Sequence, residues 1–368
     1  MVHFKHGVFN SEVRALSQAE ISASSGSFRF VLGCSAPSCR RFGVVTFVFV
    51  LPALLALLGP IYFNATAVAA DAVQTPVASR APTNDIDLKY WLENMVRYHQ
   101  FSREEVEAAT GLTPALVQEA LRKFNITASR PPRREPDAPL LVLPYPGGRH
   151  PRIGFLDGAV RPQRETKISV FTPWDETSYV VVDVPEAIWS NLGLTYLAHT
   201  HIPTIFDKQG TVLEPQEWNR RADGTFDAAR HLPNGISFGT VIRPARDAVR
   251  MEMWLSNGTD RVLTDLRVQN CVMLKGAAGF TAQTNANKVL SKPYAACRSD
   301  DGSKWVITGW EPCHRSWANP PVPCLHSDPK FPDCPPGETR RLKGWLSFYR
   351  GTNIQEEFAR LEKLGWSR

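Results

Sequence analysis

Apolar and polar positions change rhythm near residue 140. Beyond it they alternate in short runs, most clearly from Ala248 to Leu274, where two runs flank Asn257-Gly258-Thr259-Asp260. Alternation at period two sends successive side chains to opposite faces and marks a half-buried strand. In the first run Val249, Met251, Met253 and Leu255 share a face, opposite Arg250, Glu252, Trp254 and Ser256. In the second, Leu266, Val268, Val272 and Leu274 lie with Asn270, opposite Arg267, Gln269, Cys271 and Met273. Asn and Gly supply the positive φ angles of a tight reversal. The pattern predicts a central antiparallel pair with one face in the core. The other face offers Arg250, Glu252, Trp254, Arg267 and Gln269 to a polar ligand.

Further strand-like runs are Leu141–Leu143, Arg152–Leu156, Lys167–Phe171, Tyr179–Val184, Leu194–His199, Gly235–Ile242, Lys288–Cys297, Trp305–Gly309 and Arg341–Tyr349. Only Pro185–Trp189 hints at a helix between them. Many short strands without crossover helices predict a mainly β fold, a large antiparallel β-sandwich over residues 141–368. Asn353 and Glu356 cap a closing helix whose inner face holds Ile354, Phe358 and Leu361.

Before residue 140 the period is helical. Leu88, Trp91, Leu92, Met95 and Val96 make an apolar stripe. Ser102 and Glu105 form a capping box, Gly111 ends that helix, and Thr113-Pro114 opens another with Val117, Ala120, Leu121 and Phe124 inside. Residues 87–126 therefore read as a small three-helix module between a tether at 72–86 and a Pro/Arg-rich linker at 127–140. Its last two helices resemble a helix-turn-helix unit. The start of the second carries Pro114, Ala115, Leu116 and Gln118 rather than basic groups, so no nucleic-acid partner is expected and docking of a protein partner is preferred.

Phe42 to Phe63 contains no charged residue, which is length enough to cross a bilayer. Arg40-Arg41 precedes it and Ala67-Val68-Ala69 follows, so the segment reads as a signal peptide or an anchoring transmembrane helix behind a leader at 1–41. The remainder would then lie outside the cytoplasm, held at the membrane through 42–63 or released after cleavage. Of the formal charge of +6, half sits in the leader, and the nearly balanced body demands no anionic partner.

Three stretches could carry chemistry. His199 and His201 would share one face of a strand and could bind a metal with Asp207 or Glu214, or act as acid and base. Bland local hydrogen bonding explains them as well. The stretch from Trp310 to Pro329 is dense in Pro, Trp, Cys and charge and reads as a long ordered loop. There His326 and Asp328 are the acid–base candidates, and Trp310, Glu311, His314 and Trp317 would wall a polar pocket. A loop stapled by Cys313 with Cys324 or Cys334 is the alternative. The third stretch is the outward face of the 248–274 pair. No phosphate loop or dinucleotide fingerprint occurs, and nothing names a cofactor.

The strand–Asn-Gly-Thr-Asp–strand unit and the Pro336-Gly337-Glu338-Thr339 turn make the 140–350 region resemble the supersandwich of galactose-mutarotase-like, carbohydrate-active proteins. The whole chain is similar to a group of exported bacterial proteins of this layout. The resemblance implies a carbohydrate ligand. The His-Pro-Tyr-Phe motif of the mutarotases is absent, with only His150-Pro151-Arg152 near it in kind, so no catalytic residue carries over. The expectation is a carbohydrate-interacting protein outside the cytoplasm, with His/carboxylate acid–base chemistry. The alternatives are a non-catalytic envelope module and a metal-dependent enzyme built on His199 and His201.

Overall fold

The computed structural model describes residues 79–153, 164–198 and 202–368. The leader, the apolar segment at 42–63, residues 72–78 of the tether, His199 and His201 lie outside the described residues. Among those described, no helix is long and apolar enough to cross a membrane.

The described residues open with α1 (Asp85–Leu92), capped by the Asn84 side chain, which runs directly into a π-helical turn at Glu93–Tyr98. α2 (Arg103–Thr110) carries the full Ser102/Glu105 capping box and ends on left-handed Gly111. α3 (Pro114–Lys123) is capped by Thr113. The strands follow as β1 (Val142–Pro144), β2 (Lys167–Phe171), β3 (Tyr179–Ser190), β4 (Gly193–Leu197) and β5 (Asn219–Arg220). Next come β6 (Phe226–His231), β7 (Ile236–Pro244), β8 (Ala248–Asn257), β9 (Val268–Met273) and β10 (Lys288–Ser291). β11 (Tyr294–Arg298), β12 (Lys304–Glu311), β13 (Cys313–Asn319), β14 (Cys324–Pro329) and β15 (Thr339–Arg350) complete the set, and α4 (Ile354–Leu364) closes the chain.

These strands make two antiparallel sheets. The first runs β1-β2-β3-β9-β14-β13, with β4 on the far half of β3. The second runs β10-β11-β12-β15-β8-β7-β6-β5. One core lies between them. Ile168, Val170, Val180, Val182, Val268 and Val272 from the first sheet meet Phe238, Met251, Met253, Leu255 and Val306 from the second. Burial of this apolar area, at about 25 cal/mol per Å², is the main force holding the sheets together.

The faces follow the alternation; the pairing does not. β8 pairs with β7 and β15, whereas β9 pairs with β3 and β14, so the expected central hairpin is absent. The segment from Asn257 to Asp260 carries the chain from one sheet to the other. Asn257 is buried, and its side chain donates to the carbonyls of Arg261 and Cys334, both at 2.7 Å, while accepting from Thr259 N at 2.9 Å. An Asx-type turn satisfied in this way changes direction without returning to the same sheet. Pro185–Trp189 is not helical: it continues β3 across a register irregularity between Asp183 and Ala187. The expected irregular loop at 310–329 is the end of β12 plus the β13–β14 hairpin. There, alternating side chains were hidden by the density of Pro, Trp and Cys.

The helices do not hang free beyond a linker. Trp91, Leu92, Met95, Val106 and Val117 share one buried cluster with Phe171, Tyr179, Val181, Met273 and Cys324 on the outer face of the first sheet. Arg149 ties the layers together, reaching both Glu105 and the Tyr179 hydroxyl. On the opposite side, α4 covers part of the second sheet through Ile354, Phe358 and Leu361, packed on Trp305, Ile307 and Trp345.

Candidate functional site

The outer face of the second sheet is only partly covered by α4. In the open part β8 presents Arg250, Glu252 and Trp254, as its alternation requires. Trp254 lies opposite Gly239 of β7 in register. A Cβ on Gly239 would stand 2.6 Å from the indole and 2.5 Å from the Ala228 carbonyl oxygen. Only glycine lets the ring lie across the strand. The half-buried indole borders an open concavity of about 480 Å³, lined also by Arg221, Asp223, Asp227, Val241 and Arg243. Arg221 pairs with Asp227, and Arg341 donates to Glu252 at 2.6 Å. The Arg221 hydrogen bond holds the Asp227 carboxyl below the usual range, partial burial opposing it. Both acids are ion-paired, and their carboxylate oxygens are suited to accept hydrogen bonds from hydroxyls.

Arg267 and Gln269 do not join this face, because β9 belongs to the other sheet. Arg267 pairs with Asp265 at 3.0 Å. Gln269 donates to Glu186 at 2.9 Å on the outer face of the first sheet. The five residues expected to share a face are thus divided between opposite sides of the sandwich. The alternation was identical whether the two strands paired or not.

The outer face of the first sheet holds a second polar group, next to the helical layer. On β14, Cys324, His326 and Asp328 alternate and are each 1% exposed. Cys271 enters from β9. The ligating atoms of Cys271, Cys324 and His326 all lie within 4.8 Å of one another, with Cys324 Sγ 3.1 Å from His326 Nε2. His326 Nδ1 donates to the Asn270 carbonyl at 2.8 Å, and Asp328 Oδ1 stands 3.7 Å away. Trp317 stacks flat on the imidazole at 3.9 Å. Asp328 accepts from Asn270 N at 3.1 Å, Arg315 Nε at 2.7 Å and Trp317 Nε1 at 2.7 Å. Arg152 pairs with Glu186 and approaches Cys271 Sγ at 3.7 Å.

The electrostatics follow from this packing. The hydrogen bond from Cys271 lowers the Cys324 pKa, against burial and with help from Arg152, while burial pushes Cys271 well above the ordinary thiol value. Burial alone would depress His326, but the Cys271 sulfur and Asp328 carboxylate lift it to about 10.

His326 and Asp328 therefore come together, but not as an acid–base pair open to a sugar. Asp328 has its oxygens occupied by three donors, and Trp317 covers the imidazole face. Trp310 is 1% exposed and points into the inter-sheet core, where its ring crowds Gly344. His314 is exposed on β13 and Glu311 is half-buried at the end of β12. The expected pocket of Trp310, Glu311, His314 and Trp317 is not formed, because strand alternation sends Trp310 inward. Cys271, Cys297, Cys313, Cys324 and Cys334 are all free thiols, so the stapled loop is not formed either. The sequence reading passed over Cys271, Cys324, Arg152 and Glu186. The signal that would have found Cys324 was Cys324-x-His326-x-Asp328, which a strand places on one face.

No family model matches the chain, and no curated protein matches it. Among solved structures it is similar to the Slr1438 protein of Synechocystis, with 11% identity over 51% of this chain and 88% of that one, at a TM-score of 0.30. It is also similar to a protein assigned as a kojibiose phosphorylase from the human microbiome, with 8% identity and a TM-score of 0.31. That match takes in 53% of this chain and 27% of the phosphorylase.

Proposed function

We propose that the protein binds carbohydrate, without transforming it, on the open face of the second sheet, outside the membrane to which residues 42–63 direct it. One observation carries this reading: Trp254 lies across Gly239 at the edge of a concavity rimmed by ion-paired Arg and acidic side chains. A sugar ring has apolar C–H faces and hydroxyl edges. An indole meets the first, and preorganised guanidinium and carboxylate groups meet the second. Asp227 is paired with Arg221 and Glu252 accepts from Arg341, so both carboxylates are held in place by guanidinium groups. This favours binding over the acid–base chemistry that the His and carboxylate content suggested.

A glycan array probed with the full chain, followed by calorimetry on the best ligand, tests it. Binding of at least one saccharide class is expected, and Trp254→Ala should weaken it by about 2 kcal/mol, roughly thirtyfold. The proposal fails if no glycan binds, or if Trp254→Ala binds as tightly as the parent.

A further inference from the structure

The cluster on the opposite side of the sandwich has no part in that reading. We propose that Cys271, Cys324 and His326 form a binding site for a thiophilic divalent cation, zinc above all. Around a tetrahedral zinc, with Zn–S of about 2.3 Å and Zn–N of about 2.0–2.1 Å, ligand atoms stand roughly 3.5–3.8 Å apart. The three atoms here already lie within 4.8 Å of one another, and the closest pair is separated by 3.1 Å. Small side-chain rotations bring them to that spacing without moving a strand.

The histidine is oriented as a ligand. Its Nδ1–H is committed to the Asn270 carbonyl at 2.8 Å, with Asp328 behind it. Once the incoming metal displaces the proton on Nε2, that nitrogen presents its lone pair toward the sulfurs. Metal-binding imidazoles are fixed in this way, by a carbonyl or carboxylate on the other ring nitrogen. Trp317, stacked on the ring and bonded to Asp328, locks the plane and keeps water away.

The pairing of the strands argues against the simpler fate of two neighbouring thiols. Cys324 lies opposite Met273 and Leu325 opposite Val272, so Cys271 sits diagonally from Cys324. Diagonal positions on adjacent strands are about 7–8 Å apart at Cα, beyond the roughly 4.4–6.8 Å that a disulfide spans. A cation bridges such a pair where a covalent bond does not reach. The charges also close. Two thiolates balance a divalent ion, and the nearby Arg152 and Arg315 are matched by Glu186 and Asp328. Three protein ligands leave a fourth coordination position for water.

The test loads the full chain with Co²⁺ as the probe and follows its absorption spectrum, with metal content measured alongside. The expected result is one Co²⁺ per chain, with tetrahedral d–d bands and a thiolate-to-cobalt charge-transfer band, all displaced by Zn²⁺. Cys271→Ser, Cys324→Ser and His326→Gln should each lose the charge-transfer band or bind far more weakly. Cys297→Ser, whose thiol faces the inter-sheet core, should keep it. A variant that does not fold is bypassed by alkylating the unaltered protein in enough urea for the buried thiols to react through local opening, and mapping the labels. Zn²⁺ should then protect Cys271 and Cys324 but not Cys313. The proposal is overturned by folded protein that gives no thiolate–cobalt band, by a band that survives both serine variants, or by labelling that Zn²⁺ does not alter.

Discussion

His99 is fully buried between the π-helical turn and the first sheet, and its partners fix one neutral tautomer. Nδ1 donates to the Asn94 carbonyl at 2.9 Å, and Nε2 accepts from the Ser169 hydroxyl at 2.6 Å. Burial drives its pKa down to about 3; the Asn94 carbonyl opposes the shift and the Arg149 charge adds to it. In the unfolded chain the same imidazole titrates near 6.5. Between about pH 6.5 and 3 the unfolded state therefore binds a proton that the folded state refuses. The stability from this group is complete above that window and is lost as pH falls through it, by about 1.4 kcal/mol per pH unit. Urea unfolding at pH 7 and pH 5 should show this loss, and His99→Gln should show a smaller one. Equal losses in the two proteins would remove His99 as the cause. Nothing in the sequence singled out His99, because a lone histidine after a helical stripe gives no sign of whether its ring is buried.

At the level of elements, β7 and β8 show how a strand's alternation becomes a binding surface. The face of β8 was readable from its residues, but the shape of that face depends on Gly239 in the neighbouring strand. In Gly239→Ala the new methyl would meet the indole and the Ala228 carbonyl at contact distances no real Cβ occupies. A cost of about 1–3 kcal/mol is expected from overpacking, together with displacement of Trp254. Thermal unfolding gives the first quantity and near-ultraviolet circular dichroism reports the second. A variant with the parent's melting temperature and aromatic spectrum would show that Trp254 does not need this glycine. The helical elements obeyed local rules more fully. Capping at Ser102, Thr113 and Asn353 is written in short-range sequence and recurs in the structure. The π-helical turn at 93–98 was not foreseen, since the i, i+3, i+4 stripe is the same to within a residue.

For the molecule as a whole, the helical segment and the sandwich share a buried cluster, so they should unfold together. The full chain is expected to melt in one transition. A chain beginning at residue 127 would expose Phe171, Tyr179, Val181 and Met273, and should bind a hydrophobic dye and lose cooperative melting. Two separate transitions in the full chain, or a well-folded truncated one, would show that the helices are an independent module. Outside Pro185–Trp189 and the β13–β14 hairpin, local sequence determined most of the strands and helices, where the caps lie and which side chains of one strand share a face, because these depend on backbone geometry within a few residues. Tertiary structure alone decided which strands are neighbours. That choice placed Gln269 and Trp254 on opposite sides of the sandwich, turned Trp310 into the core, and brought Cys271 to Cys324 and His326. Period two records the direction of a side chain; the partner across the sheet is set by contacts between residues distant in the chain.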